Sequence, residues 1–158
     1  MPVPEEKTII LLHGIFSQKS FEFGGGQFFV LEGRPNLEAA RENCRMLLKS
    51  NIKPTLIADN MVGFLFIKNC VKEVRISYQT ADGDGALCDI GALILGALAK
   101  RHKVPIYLYP AKTRTRFLGN PKDLVKFQGK PIAPKGARAY APLVEWLPKK
   151  YITKVFEN

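Results

Sequence analysis

Short apolar runs separated by helical patterns constrain this chain more than any other feature. Thr8-Ile9-Ile10-Leu11-Leu12 is a continuous run between Pro4 and Gly14, which suits a central strand covered on both faces. Gln27-Phe28-Phe29-Val30-Leu31, Thr55-Leu56-Ile57-Ala58, Val74-Arg75-Ile76-Ser77-Tyr78 and Val104-Pro105-Ile106-Tyr107-Leu108-Tyr109 are further strand candidates. Leu37, Ala40, Cys44, Leu47 and Leu48 recur at helical spacing after Pro35 and a capping candidate, Asn36, and the pattern stops near Ser50-Asn51. Met61 to Lys68 reads as a short apolar helix, and Gly91 to Arg101 as a buried one whose small residues permit close packing. Strands alternating with helices at this spacing predict an α/β fold, a doubly wound, mostly parallel sheet with right-handed crossovers.

Two segments break the alternation. Between the first two strands, Gly24-Gly25-Gly26 leaves no room for a full crossover helix, and a flexible connection is preferred over a backbone phosphate cradle because no Lys-Ser/Thr follows. From Lys112 to Gly136 the chain is rich in Lys, Pro and Gly, which predicts a surface-wrapping C-terminal extension before a terminal amphipathic stretch, Leu147 to Phe156. The expectation is a single domain over residues 1–158, with no internal repeat.

The length suits one domain with a real core, and a mean hydropathy of −0.06 is ordinary for a globular protein. No apolar run approaches the roughly 18 residues of a membrane span, and Met1-Pro2-Val3-Pro4-Glu5-Glu6-Lys7 lacks a signal-peptide layout. A cytoplasmic protein without membrane contact is expected. Cys44, Cys70 and Cys88 form no Cys-x-x-Cys pair and read as buried free thiols, so neither metal nor disulfide is implied. The formal charge of +10 suits nucleic acid, phosphorylated ligands or an acidic partner. The basic residues read as scattered, however. The one dense patch, Lys112-Thr113-Arg114-Thr115-Arg116, reads as a solvated loop in preference to a phosphate contact.

Open α/β sheets hold ligands beyond the carboxyl ends of their strands. Two such ends carry charge here: Glu32-Gly33-Arg34-Pro35 after the second strand and Asp59-Asn60-Met61 after the third. Asp59 can orient a ligand hydroxyl or a neighbouring arginine, or it can cap the helix that begins at Met61. Glu32 and Arg34 can line the crevice or pair with each other, and the pairing is preferred. His13 ends the first strand, where a general base and a hydrogen-bonded structural histidine are both open, the structural role preferred. Asp82 and Asp84 lack the further oxygen ligands of a cation loop and read as a mobile acidic loop.

Taken in order, Leu12-His13-Gly14, Glu32-Gly33-Arg34-Pro35, Ile57-Ala58-Asp59-Asn60-Met61, Asp89-Ile90-Gly91-Ala92 and Ile132-Ala133-Pro134-Lys135-Gly136 resemble the successive motifs of one family. It is the Rossmann-like domain of methylthioribose-1-phosphate isomerase and of the regulatory subunits of translation initiation factor 2B. The resemblance runs from Thr8 to about Thr153, and the third and fifth motifs lean towards the isomerases. It implies a homodimer, and a ligand crevice that includes Gly14, Glu32, Arg34, Asp59, Asn60, Gln79 and Asp89. It also implies an N-terminal helical domain that this sequence does not contain, which makes a separate helical chain one candidate partner.

The isomerases use a cysteine after the first strand and an aspartate after the fourth, positions that correspond here to Gly14 and Gln79. Neither side chain titrates near neutral pH. The match near Gln79 needs a one-residue gap, so Asp82 or Asp84 can sit closer to the place of the aspartate than this correspondence puts them. The family's phosphate-holding asparagine and lysine correspond to Cys88 and Asp89, and a further glutamine to Glu38, which adds repulsive charge. The expectation is therefore a non-catalytic binding or regulatory module without a cofactor, keeping a remnant pocket around His13, Glu32, Arg34 and Asp59. Two alternatives stand beside it: an isomerase-type enzyme of altered chemistry on a phosphorylated sugar or nucleotide, worked by His13, Glu32 or Asp59, and, more weakly, a basic RNA-associated protein.

Overall fold

A computed structural model describes residues 4–158. Met1, Pro2 and Val3, part of the start read as lacking a signal-peptide layout, lie outside the described residues. The elements in chain order are β1 (Ile9–His13), β2 (Gln27–Leu31), α1 (Glu38–Lys49), β3 (Thr55–Ile57), α2 (Val62–Ile67), β4 (Val71–Ala81), β5 (Gly85–Asp89), α3 (Ala92–Arg101), β6 (Ile106–Pro110), α4 (Lys122–Val125), β7 (Lys126–Phe127), β8 (Lys130–Pro131), β9 (Val144–Pro148) and β10 (Lys154–Val155).

β1 is buried along its whole length because it lies at the centre of the sheet, between β2 and β4. Its alternate residues go to opposite faces. Ile9 and Leu11 pack with Val62, Leu65 and Leu95 of α2 and α3, whereas Ile10 and Leu12 pack with Met46 and Leu47 of α1. That two-sided cover is what a continuous apolar strand signals, and each such side chain contributes roughly 1.5–3 kcal/mol by leaving water. The strand order is β10-β6-β4-β1-β2-β3, parallel throughout, as the sequence predicts. From β1 the chain moves outward through β2 and β3 and then returns to β4 on the other side, so the switch point lies between β1 and β4.

β4 is longer than its apolar run. Tyr78 pairs with Pro110 on one side and Cys88 on the other, so β5 turns back along the edge that β1 vacates. The turn is held by Asp82 Oδ1, which accepts the Asp84 and Gly85 N–H groups at 2.7 and 3.2 Å. Asp82 and Asp84 thus form a hairpin turn, where a mobile acidic loop was expected.

Two further expectations need correction. The buried stripe of α1 is Ala39, Asn43, Met46 and Leu47, one residue out of phase with the predicted Ala40, Cys44 and Leu48, and Leu48 is exposed. The residue ahead of α1 is Leu37, left-handed at φ 61° with no side-chain cap, so Asn36 does not cap the helix. Gly24-Gly25-Gly26 lies at the amino ends of the strands, where a Cβ on Gly26 would come within 2.3 Å of the Thr8 carbonyl. It is far from the crevice at their carboxyl ends. Residues 112–142 cross that carboxyl face, after which β9 and β10 join the sheet and Leu147 is fully buried.

Candidate functional site

Two clefts open at the carboxyl ends of the strands, and His13 and Arg34 line both. The first, about 470 Å³, lies at the switch point, between Gly14 and Asp89 on the sheet side and Arg114 and Arg116 of the long loop. The second, about 490 Å³, is mostly apolar, with Asp59 and Asn60 at its rim and Leu31, Val62 and Leu95 in its wall. The dense basic patch is therefore a cleft wall, where a solvated loop was preferred.

Asp59 begins a single 3-10 turn, Asp59–Met61, ahead of α2, and its side chain caps neither turn nor helix. It reaches across to the loop after β2 instead. Oδ1 accepts the Gly33 N–H at 2.9 Å and Oδ2 the Arg34 N–H at 2.7 Å. Both carboxylate oxygens are thus occupied in shaping the β2 loop, and Arg34 is presented to the clefts. The Arg34 guanidinium lies 4.8 Å from the Phe127 ring centroid and donates to the Asp123 carbonyl at 3.5 Å. Among the described residues no ion pair joins Glu32 to Arg34, so the preferred pairing is corrected. Glu32 lines neither cleft. Burial raises its pKa and the Asp59 charge adds to the rise, while Arg34 and the Asp59 backbone N–H pull it back.

At the other wall, Gly14 is buried with φ +86°, and a Cβ built on it would sit 2.0 Å from Ser77 Oγ. The Ser77 hydroxyl occupies the space a side chain at position 14 would need. Asn43 fixes the Gly14 carbonyl from α1, donating at 2.7 Å. Gln79 lies outside both clefts. Its Oε1 accepts the Thr115 N–H at 3.0 Å and its Nε2 donates to Asp89 Oδ1 at 3.4 Å. The Thr115 hydroxyl donates to the same Asp89 oxygen at 2.7 Å. These bonds tie the arginine-bearing loop to β4 and β5.

Cys88 points into the core, fully buried, and its pKa is pushed up to about 12 by burial, with Asp89 and Glu145 adding to the shift. Such a thiol is protonated and cannot serve as nucleophile or metal ligand. Cys70 is buried too, and Cys44 is half-buried. The N-terminus of α3, which follows the Asp89-Ile90-Gly91 motif, is taken by Glu145 of β9: Oε1 accepts the Gly91 and Leu93 N–H groups, both at 2.8 Å. Helix N-termini attract anions, and here a side chain of the same protein fills the position.

His13 is 3% exposed. Its Nε2 lies 3.1 Å from the Asp89 carbonyl, which can only accept, so Nε2 carries the proton. Nδ1 is buried with no hydrogen-bond partner among the described residues. No three His, Cys, Asp or Glu side chains among the described residues gather closely enough to hold a metal ion.

The sequence profile of the Initiation factor 2 subunit family matches residues 21–158. The chain belongs to this family. Among curated relatives it is 33% identical over 141 residues to methylthioribose-1-phosphate isomerase of Syntrophus aciditrophicus, covering 82% of this chain and 38% of the relative. It is 30% identical over 139 residues to the same enzyme of Thermus thermophilus, covering 80% and 42%. The chain thus spans about two fifths of the length of these family members. By fold it is similar to the delta subunit of translation initiation factor eIF-2B from A. fulgidus, with a TM-score of 0.79 at 20% identity, covering 96% of this chain and 52% of that one. The corresponding values for 5-methylthioribose 1-phosphate isomerase from Pyrococcus horikoshii are 0.75, 21%, 95% and 49%. These likenesses match the family and the mostly parallel sheet expected from the motifs.

Asn43, Ser77 and Glu145 were not singled out in the sequence as site residues, and Thr115 was read only as part of the basic patch. Asn43 lies off the stripe read from the sequence and is placed on the buried face of α1 only by the structure.

Proposed function

We propose that this protein is a binding member of its family, whose Rossmann-like domain holds an anionic small molecule in the cleft at the switch point without isomerising it. The observation that carries the reading is the Gly14–Ser77 contact. The resemblance implies that the isomerases move the proton with a cysteine at the position of Gly14 and an aspartate at that of Gln79, and position 14 has no side chain and no room for one. Gln79, the other corresponding position, is an amide held by Thr115 and Asp89. Arg34, Arg114 and Arg116 supply the attraction for a phosphate or carboxylate.

The test has two parts. Purified protein incubated with methylthioribose-1-phosphate is expected to give no ketose product, and ordinary turnover would falsify the reading. Calorimetry with a panel of phosphorylated sugars and nucleotides is expected to find a ligand whose affinity falls roughly tenfold or more in Arg116→Ala, the loss of a charge-assisted hydrogen bond.

A second reading, an enzyme of altered chemistry, is favoured by the unpartnered His13 Nδ1. It requires turnover of some member of that panel, abolished in His13→Asn. A homodimer belongs to the proposal as well. Phe64, Ile67 and Ile94 on α2 and α3 are exposed beside the apolar second cleft, a patch that a second copy would cover. Sedimentation is expected to give a dimer that Phe64→Asp with Ile94→Asp converts to monomer.

A further inference from the structure

The positive charge of this chain is segregated, although the sequence reads at first as evenly basic. Residues 112–154 hold eleven Lys and Arg against two carboxylates, Asp123 and Glu145, a net of +9 out of the +10 of the whole chain. The remainder of the chain is nearly neutral. Eight of these cations lie in residues 112–142, which cross the carboxyl face, against Asp123 alone, with Lys112 paired to Glu42; Lys149, Lys150 and Lys154 follow on the segment that rejoins the sheet. Cations concentrated on one crossing segment favour a polyanion as its partner.

The same region exposes aromatic rings. Phe117 is 72% and Tyr140 74% exposed, and neither ring has an aromatic or cation–π partner among the described residues. They belong to one small ribbon. Leu118 bridges Pro142 in antiparallel fashion, the Leu143 N–H donates to the Phe117 carbonyl, and the Gly119 N–H donates to the Ala141 carbonyl. Arg116 adjoins Phe117 and Arg138 lies two residues before Tyr140, so each free ring has a guanidinium close by in sequence. Lys122, Lys126 and Lys130 stand exposed on the neighbouring α4, β7 and β8.

A merely solvating surface has no use for uncovered rings, whose exposure forfeits hydrophobic stabilisation. A protein partner of acidic character would satisfy the lysines but leaves the pairing of ring with arginine unexplained. Single-stranded nucleic acid uses both, since its bases stack on aromatic faces while its phosphates meet the flanking cations. We propose that residues 112–142 form a binding surface for single-stranded nucleic acid, with Phe117 and Tyr140 as stacking platforms and Arg116, Arg138 and the α4–β8 lysines as phosphate contacts. The surface shares Arg116 with the wall of the small-molecule cleft, whereas Phe117, Tyr140, Lys126, Lys130 and Arg138 lie outside that cleft.

The experiment is fluorescence anisotropy of the full chain with a labelled oligouridylate of about a dozen nucleotides, within the range such surfaces cover. The expected result is saturable binding that weakens as salt rises, because each phosphate contact releases a counterion. Phe117→Ala with Tyr140→Ala is expected to weaken binding at least roughly tenfold, with the far-ultraviolet circular dichroism of the native chain retained. Phe117→Trp alone is expected to keep it. Arg138→Gln with Lys126→Gln is expected to lower both affinity and salt slope. Failure to bind would overturn the proposal. So would equal binding of a duplex or of polyglutamate, or an aromatic double variant that binds like the parent, each of which marks a purely electrostatic or protein-directed surface.

Discussion

The Glu145 carboxylate sits on the Gly91 backbone N–H at 2.8 Å, capping α3 from a strand 54 residues further along the chain. A helix N-terminus has unsatisfied N–H groups and a partial positive charge, and in this fold the one after β5 faces the ligand crevice. The site is filled from within. Glu145→Gln keeps an acceptor oxygen and loses the charge, so urea unfolding is expected to show a loss of about 0.3–1 kcal/mol. Glu145→Ala removes the acceptor as well and is expected to cost about 1–2 kcal/mol. Equal effects of the two substitutions would show that the charge contributes nothing to the cap.

Gly14 and Ser77 are matched. Gly14→Ala places a Cβ against Ser77 Oγ and forces a non-glycine residue to φ +86°. Overpacking and left-handed strain together are expected to cost roughly 2–5 kcal/mol. Ser77→Gly removes the clash and leaves the strain, so the double variant is expected to recover a large part of the loss. The two substitutions are in contact and are expected to be non-additive by more than about 0.5 kcal/mol, read from urea midpoints. Additive losses would mean that the backbone yields at this point and that position 14 can accept a side chain.

What could be read in advance follows from the range of the interactions. β1, β2 and β6 were legible because strands covered on both faces are continuous apolar sequence, and their parallel order follows from the alternation with helices. The phase of α1 was not, because a buried asparagine interrupts its inner stripe: Asn43 is 1% exposed and its amide is spent on the Gly14 carbonyl. Asp59 could be placed at the crevice but not assigned, since an aspartate at a helix start suits a cap equally well. Only the fold shows that the nearest free N–H groups are those of Gly33 and Arg34. Thr115, Arg114 and Glu145 reach the site from segments remote in sequence, and no local pattern encodes that return.

Glu32 makes the folded protein sensitive to pH. Its folded pKa is raised above the unfolded value, chiefly by burial and then by Asp59, so the folded state binds a proton more readily than the unfolded one. The associated stability is fully present below the unfolded pKa and is lost as pH rises through the folded pKa, leaving a charged, partly buried carboxylate at neutral pH. Glu32→Gln is therefore expected to be more stable than the parent at pH 7 and to lack this decline just above the ordinary carboxylate range. Parallel curves of unfolding free energy against pH for the two proteins would show that Glu32 does not titrate differently on folding.

Arg75 is a buried cation far from either cleft, 3% exposed, on the α1 face of β4. Its guanidinium carbon lies 5.3, 5.5 and 5.4 Å from the ring centroids of Phe21, Phe28 and Tyr109. Nε donates to Glu73 at 2.7 Å and Nη1 to the Glu22 carbonyl. Three rings, a carboxylate and a carbonyl thus share one planar donor, a geometry that an ammonium cannot reproduce. Arg75→Leu leaves the Glu73 carboxylate without its cation and the Glu22 carbonyl without its donor, and is expected to cost about 3–5 kcal/mol. Removing the stranded charge as well, in Arg75→Leu with Glu73→Leu, is expected to recover much of that loss, because a buried pair gains little over well-packed apolar groups. Arg75→Lys is expected to stay destabilised despite keeping the charge. Urea unfolding of the three variants distinguishes the cases: a fully stable Lys variant would show that charge alone matters and that the ring stacking contributes nothing.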